Sequence, residues 1–171
     1  MTPMTELVPI LIFCQALGAI VGAVAAVWSE VAYIRAMRDG NIDIAERRHL
    51  HGIANGLRFG MTLLLLASLA LVTVAYTKHA VLQPALTSSY WILVVLTLLV
   101  IYVSWALSRR RIPFALGSAI AFTGWWFLVY LTLGQLPPLT FGAAIGFFIV
   151  AAAIFYAVLH YIRFLTASKQ G

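Results

Sequence analysis

The chain has 171 residues, 63% of them hydrophobic and only 9% charged, which excludes a separate soluble domain and describes one polytopic membrane domain. Its formal charge of +6 would suggest nucleic acid in a soluble protein. No basic stretch is interleaved with solvent-exposed aromatics, however, so nucleic acid is not expected as a partner. The single cysteine, Cys14, excludes an intrachain disulfide and any cysteine-based metal framework, and it reads as a small packing residue.

The first uncharged run extends from Leu7 to Ser29. No basic segment precedes it, Glu6 stands there instead, and the run is long enough to span, so a cleaved signal peptide is not expected. Phe13 before Cys14 also fits a lipoprotein cleavage site poorly. Val31 to Arg38 favours continuing the helix to about residue 38, with Gly40 placed as its left-handed C-terminal residue. Asn41-Ile42-Asp43 turns the chain, and Asp43 with Glu46 three residues later reads as a capping box. The second helix is predicted over 44–77, with its uncharged run from Phe59 to Thr77. The first two helices thus form a hairpin that projects past the bilayer. In it Asp39, Asp43 and Glu46 are set to pair with Arg35, Arg38, Arg47 and Arg48.

Lys78 to Ser89, containing Pro84, connects to a third span, Leu86 to Leu107, in a helix over 88–108. A tight turn at Ser108 to Pro113 leads to the fourth, Pro113 to Gly134, with Pro113 suited to a first helical turn. Gln135-Leu136-Pro137-Pro138 breaks the apolar run before the fifth span, Leu139 to Leu159, in a helix over 139–166. Each span suffices to cross ~30 Å of hydrocarbon at ~1.5 Å per residue. The fold class is an all-α bundle of five transmembrane helices.

Ten of the eleven Lys and Arg residues then share one side, and only Lys78 lies on the other. The positive-inside rule predicts an outside N-terminus and a cytoplasmic C-terminus, with the basic excess facing anionic headgroups of an inner membrane. Trp28, Tyr33, Tyr102 and Trp105 near one interface, and Tyr76, Tyr90 and Trp91 near the other, read as aromatic belts. The vicinal Trp125-Trp126 reads as core packing or lipid contact.

The run from Ser29 to Ile42, followed by Glu46, resembles a segment of uncharacterised small bacterial integral-membrane proteins. These have an acidic residue near the end of the first span, an aromatic-x-Arg stretch, Asp-Gly-x-Ile and a second helix. Glu30 and Tyr33 stand at the acidic and aromatic positions, and the resemblance covers the first two helices. It implies a bacterial membrane location and no activity.

On the second helix His51, Asn55, Arg58 and Thr62 share one face. Glu30 on the antiparallel first helix is read at a depth comparable with Arg58, and an unpaired charge there is costly, so a Glu30–Arg58 ion pair is predicted. Gly142, Gly146, Ala153, Ala157 and His160 line one face of the fifth helix, whose Gly-x-x-x-Gly spacing points to close helix packing and turns His160 into the bundle. Gly18 and Gly22, with Gln15, form a second such face. The predicted polar cluster is Glu30, His51, Asn55, Arg58 and His160, with a structural clasp as the plainer reading.

Three functions follow. An accessory, structural or assembly component of a membrane complex suits the sparse chemistry and small-residue faces best. An oligomeric ion or small-solute transporter or channel would use Glu30, Arg58 and His160. A b-type haem protein would use His160 with His51 or His49, although two matched pairs of histidines are missing and His51 is shallow. His49 and His51 at i, i+2 diverge, so a metal site with Glu46 is not expected. No hydrolase, transferase or phosphate-loop motif occurs, and no cofactor is expected. The expected partners are membrane lipids and either further copies of this chain or a larger membrane complex.

Overall fold

The computed structural model describes residues 7–39, 44–78, 86–136 and 139–168, without the side chains at 36–39, 44–51 and 166–168. Five helices follow in order: α1 (Leu7–Asp39), α2 (Ile44–Thr77), α3 (Ser88–Ser108), α4 (Phe114–Thr132) and α5 (Phe141–Ser168). All five contain stretches long and apolar enough to cross a membrane, so the chain is an integral, multi-span membrane protein. The hairpin turn, its capping box and the charge pairs expected there lie outside the described residues.

Helix ends follow local chemistry. The Thr87 hydroxyl accepts from the Tyr90 backbone N–H at 3.3 Å and caps α3. At its other end Arg110 takes a left-handed φ of 53°. The Arg111 N–H then donates to the Ala106 carbonyl at 2.9 Å and the Arg110 N–H to Leu107 at 3.0 Å, closing a Schellman turn. α4 ends in the same way, on Gly134 with φ 66°, so the helix stops at Thr132 and Gly134 serves as its terminator. Pro113 precedes the first turn of α4 instead of occupying it, and its carbonyl accepts from the Gly117 N–H at 3.0 Å.

α4 is the hub. Half of its span is buried, against α1, α3 and α5. Trp125 is its anchor at 1% exposure, set over Gly22 of α1, where any added Cβ would collide with the indole ring. α1 offers this surface because Ala19, Ala23 and Ala26 line the buried side of the helix. α2 packs chiefly on α1. There Gly18 and Gly60 meet backbone to backbone: a Cβ on Gly60 would stand 2.7 Å from the Gly18 carbonyl oxygen. Such small-residue approach maximises van der Waals contact where lipid supplies no hydrophobic drive. One interhelical hydrogen bond reinforces it, the Gln15 amide donating to the Ser68 hydroxyl at 2.8 Å.

The small face of α5 does not pack as expected. A Cβ at Gly142 or Gly146 would meet nothing, and Ala153, Ala157 and His160 are exposed too. α5 instead turns Ala144, Phe148, Leu159 and Arg163 inward. Phe148 meets the edge of Phe127 with ring centroids 5.9 Å apart, so bulky aromatic surface outweighs small-residue approach at this contact.

Candidate functional site

The buried charge cluster joins α1, α4 and α5 near the end of the bundle that carries Arg109, Arg110 and Arg111. Glu30 is 6% exposed and Arg163 is 9% exposed. An Arg163 terminal nitrogen donates to Glu30 Oε2 at 2.6 Å and to the Ser118 hydroxyl at 2.8 Å. Aromatic rings cover the guanidinium, its centre lying 5.1 Å from the Tyr33 centroid and 5.5 Å from that of Phe114. Those two rings stack on each other at 3.9 Å. Tyr33 is therefore part of the site. A delocalised guanidinium suits this setting, since it forms charge-assisted hydrogen bonds in its plane and stacks against rings with its faces.

The predicted Glu30–Arg58 pair does not form. Helix register is the reason. Gly18 lies against Gly60 and Leu64, and Ala25 lies 3.4 Å from a Cβ placed on Gly56. This pairing puts position 51 of α2 opposite Glu30, so Arg58 sits seven residues, or roughly 10 Å, farther along the helix. The two charges are neither level nor on facing surfaces.

Arg58 and Asn55 are instead exposed on the outward side of α2, together with Phe59 and Thr62. Thr62 satisfies itself within the helix, its hydroxyl donating to the Arg58 carbonyl at 2.9 Å. His160 is exposed on the outward side of α5, where it stacks on Tyr156 with centroids 6.0 Å apart. It does not face the bundle interior, and it cannot join Glu30 there. The side chains of His49 and His51 lie outside the described residues. The four described members of the predicted cluster thus separate: Glu30 lies inside, paired with Arg163, and Asn55, Arg58 and His160 lie outside. Nothing in the sequence reading singled out Arg163, Ser118 or Phe114 as partners of Glu30. The available signal was the large-residue stripe of α5 that ends at Arg163.

Two cavities adjoin these elements. One of about 190 Å³ lies beside the ion pair and brings Glu30, Ser29, Ser104 and Ser118 together with Phe114, Phe122 and Trp125. Its polar lining is a carboxylate and three hydroxyl-bearing residues, a set suited to water or a small polar solute. The other, about 550 Å³, opens between α4 and α5 and is lined largely by aromatic rings, Phe122, Trp126, Phe127, Tyr130, Phe147 and Phe155. Its size is that of a small-molecule or lipid-chain cleft. Trp125 and Trp126 therefore differ in role: the first fills the core and the second lines this cleft.

Among the described residues no three His, Cys, Asp or Glu side chains converge as metal ligands. No family model, no curated protein and no solved structure matches this chain.

Proposed function

We propose that this protein is an accessory or assembly subunit of a larger complex in a bacterial inner membrane, with its N-terminus outside and its C-terminus cytoplasmic. The observation that carries this reading is the outward placement of Asn55 and Arg58 within the apolar span of α2. Charged and amide side chains at membrane depth are retained where they meet another protein surface, because lipid offers them no partner. The exposed small-residue face of α5, with His160 at its basic end, adds a second surface unlike an ordinary lipid face. The topology rests on charge: ten of eleven Lys and Arg residues fall on the side assigned to the cytoplasm.

In this reading the Glu30–Arg163 pair is a clasp. It fastens α5, which has the least buried of the spans, to α1 and α4. The experiment is native electrophoresis of gently solubilised membranes, with mass spectrometry of whatever migrates with the chain. Comigration with other membrane proteins, lost in Arg58→Leu, is the expected result. Migration at the size of the lone chain in both forms would refute the subunit reading.

The 190 Å³ cavity beside Glu30 favours a second reading, a path for protons or a small polar solute. Its test is flux into vesicles holding the purified protein: transport requires a rate that Glu30→Gln abolishes while the fold survives.

A further inference from the structure

We propose that the outward face of α2 around Asn55 and Arg58 docks a transmembrane helix of a different protein, and that this helix presents a carboxylate to Arg58. The proposal rests on the subunit reading and gives that partner its chemistry.

Depth is the first premise. The register that sets Ala25 against Gly56 places Arg58 level with Ala23 of α1, six residues, or roughly 9 Å, inside the end of that helix's uncharged run at Ser29. That distance exceeds the length of one arginine side chain, so snorkelling toward the basic end does not fully return the guanidinium to water. Exposure is the second. Arg58 lies on the open side of a helix whose other side rests on α1, and no ion pair of its side chain occurs among the described residues. A guanidinium in that position is satisfied by an anion brought to it, and a carboxylate matches its planar fork.

The acid inventory decides between a second copy and a different chain. The sequence contains five acidic residues, Glu6, Glu30, Asp39, Asp43 and Glu46. Among the described side chains Glu30 is the one acid within a candidate span, and Arg163 already holds it in the interior. By sequence, Glu6 precedes the first uncharged run, and Asp39, Asp43 and Glu46 fall between the first run, which ends at Ser29, and the second, which starts at Phe59. A symmetric dimer through this face would set Arg58 against its own copy with no carboxylate between them. The complementary charge must come from another polypeptide. Asn55, one turn away on the same face, offers an amide that both donates and accepts and can fix the register of the incoming helix.

The test uses the full-length protein in phosphatidylcholine vesicles and a dansyl-labelled, Lys-flanked polyleucine helix with one glutamate about six residues from one end. Energy transfer from the protein's tryptophans reports association, and the same helix with glutamine is the reference. The glutamate helix is expected to bind about tenfold more tightly than the glutamine helix. Arg58→Leu is expected to erase that preference while Arg109→Leu retains it. Equal binding of the two helices, or a glutamate preference that survives Arg58→Leu, would overturn the proposal. An unchanged melting temperature for Arg58→Leu in detergent shows that lost binding is not lost folding; if that variant melts early, Arg58→Lys, which keeps the charge, must retain the preference. If the preference is absent while the native complex persists on electrophoresis, the carboxylate proposal falls and the subunit reading stands. If no native complex exists, the subunit reading falls by itself.

Discussion

Removing Arg163 should be among the most damaging single changes in this chain, and removing Glu30 with it should restore much of what is lost. Arg163→Leu deletes a 2.6 Å bond to Glu30, a 2.8 Å bond to Ser118 and the stacking on Tyr33 and Phe114. A hydrogen bond involving a charged group contributes roughly 1.5–3 kcal/mol, and a desolvated cation–π contact up to about 2 kcal/mol. The larger effect is on what remains, because Glu30 is left 6% exposed with no cation beside it. Breaking a buried pair from one side costs about 3–5 kcal/mol, whereas replacing both members with apolar residues is often neutral. Each of Arg163→Leu and Glu30→Leu should therefore lose about 3–5 kcal/mol, and the double variant should lie within about 2 kcal/mol of the parent. Reversible unfolding in mixed micelles, run as a double-mutant cycle, measures this directly. Additive losses, with coupling below about 0.5 kcal/mol, would refute the pair.

Other outcomes follow from the same geometry. Gly60→Ala puts a Cβ 2.7 Å from the Gly18 carbonyl oxygen, so α1 and α2 must part at a cost of about 1–3 kcal/mol, read as a lowered melting temperature. Arg110→Gly relieves a left-handed φ of 53° and should raise stability by about 1 kcal/mol, provided the turn is otherwise unchanged. Arg58→Leu should leave the melting temperature of the isolated protein near that of the parent, because its side chain is exposed and no ion pair is lost. A fluorescent protein fused to the C-terminus should glow and alkaline phosphatase fused there should be inactive; active phosphatase would invert the proposed topology.

The five helices are legible in the sequence because membrane spans are written in one dimension, as runs of uncharged residues closed by Gly, Pro and Arg. Ser88 and Ser108 bound α3 where turn chemistry put them, while α4 starts one residue later than expected because Pro113 precedes its first turn. The site was less legible, since it depends on how helices are set against each other. Gly18 and Gly22 predict a close contact, and its counterpart on α2 is Gly60, with Gly56 one turn away. Those residues set the register that separates Glu30 from Arg58. On α5 the small-residue face drew attention to His160, whereas Phe148, Leu159 and Arg163 are the residues that turn inward. A Gly-x-x-x-Gly spacing marks where a helix can be approached closely; whether a neighbour comes depends on the surfaces offered by α1 and α4.

Photocross-linking in intact membranes tests the outward role of α2 most directly. A photoreactive residue at Phe59, beside Arg58, should yield a discrete adduct with another membrane protein, and the adduct should vanish in Arg58→Leu. The same residue at Leu98, an exposed position of α3, should label lipid alone. Lipid adducts from both positions would show that α2 faces the bilayer, and would contradict a docking surface at Arg58.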